Sequence, residues 1–236
     1  MNPAIKKLES QASKTLQELL DDMYASCDDL FFDLASRADS NLAQTLYFES
    51  MREIRVKSPS ARKVFTQTLA DNFASLGKPI QPQQTDTKPT KLSLVGEDDV
   101  ELDVTIKSMT NRVRVSAKNP LYELYQRVES LFSNHMTDEQ NPLDPLPLVH
   151  CFVDSTSNME LEIKARIILL KQFERYVLNR LIEIYVNANK LLESLGVKFI
   201  NDRKTIRNKR TFGRQKAGTV QTSPEEGLLP DNSAHY

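Results

Sequence analysis

The sequence predicts an all-α protein, an antiparallel helical bundle or bundles with one long helix at about residues 159–195. Only six of its 236 residues are glycine, and none lies within residues 1–76 or 97–195. Glycine permits positive φ, tight turns and close approach of the backbone to phosphate, so this scarcity disfavours hairpins and glycine-rich phosphate loops. Apolar residues also recur at steps of three and four over long stretches, which is the pattern of amphipathic helices.

The first helical unit is predicted to span residues 1–76. Asn2 is placed to cap a helix that has Pro3 in its first turn. Asp39 or Ser40 is expected to end this helix and cap the next one. The tripeptide at 58–60, Ser-Pro-Ser, is expected to stop the second helix and start a third, which ends at Gly77.

A linker is predicted at residues 77–91, because prolines, threonines and glutamines dominate there. The second helical unit then spans residues 92–200. Its fourth helix is expected to place four apolar side chains in a core: Val100, Val104, Ile106 and Met109. A fifth helix is expected from Asn119 and Pro120, followed by a short helix over 148–154.

The long helix is predicted at about 159–195, a stretch without glycine or proline that ends before Gly196. At 1.5 Å per residue it would reach roughly 55 Å. Its apolar stripe is broad, so several other helices are expected to pack against it. The sequence leaves open whether the two helical units share one core. Residues 201–236 lack apolar periodicity and are predicted to form a basic segment and a disordered tail.

The charge and cysteine content favour a soluble cytoplasmic protein. The formal net charge is −1, which gives the whole molecule no electrostatic preference for nucleic acid or membrane. No apolar run approaches the ~18 residues of a transmembrane helix, and the N-terminus lacks a signal-peptide pattern. Cys27 and Cys151 lie in apolar helical patterns and are expected to be reduced and buried, with a disulfide as the alternative.

No catalytic, cofactor-binding or metal-binding residue is predicted. Asp28, Asp29 and Asp33 lie within one and a half turns of a helix, where they form either a solvated face or a magnesium site. The solvated face is the preferred interpretation because no second aspartate-rich motif follows. The histidines have no zinc-ligand spacing, and no nucleophile elbow is present. The chain is therefore expected not to be an enzyme and to need no cofactor.

A partner-binding face is a candidate function of the helix around residue 50. Aromatic and basic side chains are concentrated there: Tyr47, Phe48, Arg52 and Arg55. The preferred interpretation is that these side chains serve packing and a local ion-pair network.

The basic segment at 198–216 is a candidate for contact with phosphates. It holds eight lysines and arginines against Asp202 alone, a local charge of +7. Such a run neutralises phosphates and binds nucleic acid weakly, without sequence preference. The candidate contact residues are Arg203, Lys204, Arg207, Lys209 and Arg210. A solvated helix end and tail is the alternative.

Residues 28–57 resemble the start of a bacterial family known as domain of unknown function 1631. The resemblance rests on the helix LYFESMREIR at 46–55, on LSLVGEDDVE at 92–101, and on LLKQFERYVL at 169–178 followed by LLESLGV at 191–197. It covers roughly residues 16–198. Members of that family are usually much longer, and the family implies no activity. Some relatives carry a thymidine phosphorylase label, but the glycine-rich phosphate-binding segments of such an enzyme do not occur here.

These features favour a non-enzymatic interaction or scaffolding module in the cytoplasm, with a protein partner or a homodimer. The alternative is a nucleic-acid-associated protein that acts through the basic segment, and an enzyme of unknown chemistry ranks third. The sequence leaves open the partner, the oligomeric state, the biological process and whether the chain is part of a longer protein.

Overall fold

The computed structural model describes residues 2–77, 97–132, 136 and 140–199. Regular structure within these ranges is entirely helical, which confirms the predicted all-α class. The α-helices are α1 (Pro3–Ser36), α2 (Asn41–Ser75), α3 (Glu97–Ser116), α4 (Lys118–Glu129), α5 (Pro145–Ser155), α6 (Ile163–Tyr176) and α7 (Leu181–Ser194). The predicted linker beyond residue 77 and the predicted tail at 201–236 lie outside the described residues.

Helices α1 and α2 form an antiparallel hairpin whose ends follow the sequence signals. Asn2 accepts a hydrogen bond from the Ala4 amide at 2.9 Å, and Ser40 accepts one from the Ala43 amide at 3.2 Å. Gly77 follows α2 with a φ of 76°. A Cβ at that position would lie 2.2 Å from the ring of Phe132, so both the backbone and the packing require glycine.

The predicted stop at residues 58–60 is wrong, because α2 continues through Pro59. Proline has no amide hydrogen to donate to the carbonyl four residues earlier, which is that of Arg55. The Ser58 hydroxyl donates to this carbonyl instead, at 3.4 Å. The buried stripe also continues on both sides of the proline, through Ile54, Ala61 and Phe65, so packing holds the helix together.

The two predicted helical units share one hydrophobic core. A single cluster of buried apolar side chains draws on all seven helices. Helix α1 packs against α6 and α7, and α2 packs against α5. The hairpin and the later helices are therefore parts of one packed body, which answers the question that the sequence left open.

Helix α3 contributes buried side chains to this core only from Ile106 onward. Ile106 and Met109 are buried as expected, but Val100 and Val104 are 49% and 60% exposed. At 100° per residue, the two exposed valines lie on the opposite side of the helix from the stripe that continues to Val113. Both valines were expected in the core because they are apolar, but their positions around the helix place them on the face that points away from the core.

The predicted long helix is divided in two. Residues 159–162 are not helical, α6 begins at Ile163, and Val177 adopts φ −106° and ψ −60° before a short 3-10 helix over Leu178–Arg180. The apolar stripe itself is intact across the division, with Phe173, Val177 and Leu181 fully buried. The two halves have different neighbours: α6 also packs on α2 and α3, whereas α7 packs on α4. The division lets each half follow its own neighbours without interrupting the stripe.

Candidate interaction surface and cleft

Two aromatic rings meet on the outer surface of the α1–α2 hairpin. Phe32 is 55% exposed and Phe48 is 37% exposed. Their ring centroids are 6.2 Å apart with an interplanar angle of 63°, an edge-to-face contact. We call Phe32, Phe48 and the flanking Asp29 and Arg52 the aromatic patch. Burying exposed aromatic rings against a partner is favourable, so rings that stay exposed after folding mark a candidate interaction surface.

The charges around the aromatic patch fall into two groups. Arg55 is ion-paired with Asp28 across the hairpin, at 3.0 Å between exposed side chains. By contrast, Asp29 and Arg52 are exposed, and neither has an ion-pair partner among the residues that the structure describes. One uncompensated carboxylate on α1 and one uncompensated guanidinium on α2 therefore flank the rings.

The residues predicted as a partner face do not all point the same way. Tyr47 is half-buried, packs against the core and contacts the ring of Phe31, with centroids 6.4 Å apart. Phe48, Arg52 and Arg55 are exposed. Phe32 was not among the residues predicted for the partner face, and its position one turn after Asp28 on an exposed helix face is the sequence signal that marks it. The phosphate-contact candidates Arg203, Lys204, Arg207, Lys209 and Arg210 lie outside the described residues.

Two of the three aspartates in the run on α1 form ion pairs. Asp28 accepts hydrogen bonds from Arg55, and Asp33 accepts one from Arg37 at 3.3 Å. In the described part of the chain, no group of three or more histidine, cysteine, aspartate or glutamate side chains is arranged to hold a metal ion.

A cleft of about 250 Å³ opens where α3 meets α4. Its other wall is the turn that precedes α5. The lining residues are Arg114, Lys118, Leu121, Tyr122, Tyr125, Asn141 and Asp144. We call this site the cation–tyrosine cleft. Helical hydrogen bonds continue across the junction, from the Ala117 amide to Val113 and from the Leu121 amide to Ala117, so the lining residues of α3 and α4 share one helical face.

Asp144 organises the turn wall of the cleft. Its side chain is 4% exposed and accepts two hydrogen bonds from Arg114, the shorter at 2.7 Å. The same carboxylate caps α5 by accepting from the Leu146 amide at 3.0 Å. The buried hydroxyl of Tyr185 donates to the Leu143 carbonyl at 2.7 Å and fixes the turn from beneath.

Asn141 in the same wall has an unsatisfied donor. The residue is 2% exposed, and its Oδ1 accepts a hydrogen bond from the Leu143 amide at 3.1 Å. Its Nδ2 is buried and has no acceptor among the residues that the structure describes. A buried donor without a partner costs free energy that a suitable acceptor would recover.

The chain beyond α7 lies against α4, beside this cleft. Buried Arg127 donates to the Val197 carbonyl and to the Glu123 carboxylate. The ring of Phe199 meets that of Tyr122 edge-on, with centroids 6.3 Å apart. The last described residues are therefore held next to one wall of the cleft.

Both cysteines are free and buried, as the sequence predicted. Burial, and secondarily the charge of Asp28, raises the pKa of Cys27 to about 12. Burial, with a smaller contribution from Asp154, raises the pKa of Cys151 to about 12. A hydrogen bond to its sulfur from the side-chain Nδ2 of Asn72, at 3.2 Å, acts in the opposite direction and is outweighed. Because the thiolate is the nucleophile, neither cysteine is suited to covalent catalysis near neutral pH.

Comparison with known proteins gives one match. The model of the family described as "Protein of unknown function (DUF1631) N-terminal domain" matches residues 1–196. No curated protein and no solved structure is similar to the chain at a significant level. Among the described helices, none combines the length and the apolar character needed to cross a membrane.

Proposed function

The chain belongs to the DUF1631 family through that family's N-terminal domain, and on this premise we propose that it is a non-enzymatic interaction module that pairs with a second copy of itself. The observation that carries the proposal is the exposed edge-to-face contact of Phe32 and Phe48 on the hairpin. Aromatic side chains are enriched in the centres of protein interfaces, where they supply most of the binding free energy.

The charges beside the rings favour a second copy as the occupant. Asp29 lies on α1 and Arg52 on α2, so the two edges of the patch carry opposite charges. A two-fold axis that lies in the interface plane, parallel to the hairpin helices, would place the α1 edge of one protomer over the α2 edge of its partner. Asp29 of each protomer would then face Arg52 of the other, which is the self-complementarity that a two-fold dimer requires.

The non-enzymatic part of the proposal is supported by the state of the reactive side chains. The two thiols, which are the strongest nucleophiles in the chain, are held neutral with pKa values of about 12. The buried hydroxyl of Tyr185, whose pKa is also raised chiefly by burial, donates to the Leu143 carbonyl.

The proposal is tested by measuring molar mass over a range of concentrations, with light scattering after size exclusion. The expected mass rises from 26.9 kDa towards twice that value as concentration increases. Changing Phe32 and Phe48 together to Ser should hold the chain at the monomer mass, because the apolar contact is lost. Val115→Ser is the matched control, since Val115 is 78% exposed on α3, outside the patch, and should leave dimerisation unchanged.

A charge exchange makes the test specific to the two-fold arrangement. Arg52→Glu alone should weaken the dimer, because like charges would face each other. Combining it with Asp29→Lys should restore the dimer, since the pair is then only reversed. A monomer mass at every concentration, or a dimer indifferent to both sets of changes, would contradict self-association through this patch.

The second candidate is weak, sequence-independent association with nucleic acid through residues 198–216. The observation that favours it is the local charge of +7 in that segment. Heparin retention that falls with salt would support it.

A further inference from the structure

We propose that the cation–tyrosine cleft binds one nucleotide unit, with the phosphate on Lys118 and the base against the tyrosine rings. The proposal is independent of the aromatic patch, which lies on other helices. It rests on the order of side chains along one helical face, on the charge of the cleft, and on its size.

Cations and aromatic rings follow one another along the cleft. Arg114 and Lys118 are one turn apart, and Tyr122 follows Lys118 by another turn, with Tyr125 three residues further. At 1.5 Å per residue, Lys118 and Tyr122 are separated by roughly 6 Å along the axis. In a nucleotide the phosphate and the base are separate groups joined by the sugar. The helical face offers a charged contact for the phosphate and, one turn later, a stacking contact for the base.

The charge of the cleft is positive after its internal ion pair is taken into account. Arg114 is committed to the buried carboxylate of Asp144, at 2.7 Å. Lys118 is exposed and has no ion-pair partner in the described structure, so it gives the cleft its net positive charge. A single uncompensated ammonium beside two aromatic rings suits a group with one phosphate better than it suits a neutral or cationic ligand.

The remaining lining residues suit a planar base. Leu121 lies between the cations and the rings and supplies an apolar contact. On the facing wall, Nδ2 of Asn141 is a buried donor that has no acceptor within the described part of the chain. The ring nitrogens and carbonyl oxygens of nucleobases are acceptors, and pairing with one would remove the cost of this unsatisfied donor.

The size of the cleft limits the ligand to one such unit. Its volume of about 250 Å³ lies just below the usual range of small-molecule sites, which begins at about 300 Å³. The unit could be a free mononucleotide or one residue of a single strand. The neighbouring sequence favours the strand, because the basic segment begins at Lys198 and the next ring, that of Phe199, contacts Tyr122.

The test uses the full chain at low salt with three probes: AMP, adenosine, and a fluorescently labelled deoxyadenosine decamer. Binding of the small probes is followed by amide shifts in NMR spectra, and binding of the decamer by fluorescence anisotropy. AMP should bind more tightly than adenosine, and AMP should shift the amides of Lys118 and Tyr122. Tighter binding of the decamer than of AMP would identify the strand as the source, whereas equal binding would identify the free nucleotide.

Two matched pairs of variants locate the site, with circular dichroism to confirm that each folds. Lys118→Ala should weaken AMP binding about tenfold, because a charge-assisted contact is lost. Lys107→Ala removes an exposed lysine of α3 that does not line the cleft, and it should leave AMP binding unchanged. Tyr122→Phe should keep the stacking and the binding, and Tyr122→Leu should lose both. The proposal is overturned if no probe binds at low salt, or if AMP binds the Lys118→Ala and Tyr122→Leu variants as tightly as the unaltered chain.

Discussion

The ring of Phe152 in α5 stacks on the ring of Phe173 in α6, with centroids 4.2 Å apart and planes inclined by 12°. Phe65 of α2 meets the same Phe173 ring edge-on, with centroids 6.2 Å apart. Phe173 is fully buried, so it joins the N-terminal hairpin to two of the later helices. Phe173 therefore links α2, α5 and α6 directly within the core.

Phe173→Ala should destabilise the fold by about 3–5 kcal/mol, because it removes a buried ring and leaves a cavity between three helices. Urea unfolding followed by circular dichroism measures the change. Val104→Ala is the control: Val104 is 60% exposed on α3 and should change the free energy of unfolding by less than about 0.5 kcal/mol. Equal stability of the two variants would show that Phe173 does not have this packing role.

Two arginines on α3 should differ sharply in their contribution to stability. Arg114 pairs with the carboxylate of Asp144, whose side chain is 4% exposed, whereas Arg112 pairs with Glu174 and is itself 65% exposed. Arg114→Ala leaves a buried charge without its partner and should cost about 2–4 kcal/mol. Arg112→Ala breaks a solvent-exposed pair and should cost less than about 1 kcal/mol. Thermal melts of the two variants measure this difference in stability. Similar losses of stability in both variants would contradict the buried role of Asp144.

Pro59→Ala should stabilise the protein. Alanine restores an amide hydrogen that can donate to the Arg55 carbonyl within α2 and is the better helix former. The unfolded chain gains some conformational freedom, which offsets part of this benefit, so the expected net gain is about 1–2 kcal/mol. The same change at Pro3, in the first turn of α1, is the control and should bring no such gain. A lower melting temperature for Pro59→Ala would mean that the proline sets a bend on which the packing depends.

Alkaline pH should destabilise the fold through its two thiols. The pKa of each rises from an ordinary value near 9.0 to about 12 in the folded protein, mainly because of burial. The unfolded chain therefore loses these protons first as pH rises, and the stabilisation by the neutral thiols is present below about pH 9 and is lost between about pH 9 and 12. The free energy of unfolding should be lower at pH 10 than at pH 8. This difference should be smaller in a variant that carries both Cys27→Ala and Cys151→Ala. An identical fall in both proteins would exclude the thiols as the cause.

The helix ends and the buried faces could be predicted from the sequence because their causes are local. Asn2 and Ser40 cap helices through their own side chains, and Gly196 adopts the positive φ of 79° expected just after a helix. The same local logic failed at Pro59, where a neighbouring serine hydroxyl and a continuous buried stripe outweigh the missing amide.

Features that depend on tertiary contacts could not be predicted in this way. The division at Val177 leaves the apolar periodicity unchanged, so no sequence signal marks it. The cation–tyrosine cleft requires the turn at Asn141 and Asp144 to meet a face of α3 and α4 whose lining residues, Arg114 to Tyr125, lie 16 to 30 residues earlier in the chain. Arg114, Lys118, Tyr122 and Tyr125 follow one another at helical spacing in the sequence, but only the facing turn makes a site of them.

The basic segment provides the last prediction, which concerns nucleic acid. Arg207, Lys209 and Arg210 lie close together in a segment with a local charge of +7, and counterion release makes contacts of this kind strongly salt dependent. We expect at best micromolar binding to duplex DNA of any sequence at low salt, with a slope of log affinity against log salt of about −0.9 for each phosphate contacted. Fluorescence anisotropy with a labelled duplex measures both quantities.

Changing all three basic residues to Ala should abolish this binding. The control variant changes Lys6, Lys7 and Lys14 of α1 to Ala, which removes the same number of positive charges from exposed positions elsewhere and should weaken binding little. Binding that persists at high salt, or that survives the first triple change, would contradict an electrostatic contact through this segment and would assign the affinity to the folded helices. Because the cation–tyrosine cleft should bind a single strand in preference to a duplex, comparing both probes on the first triple variant separates the two sites.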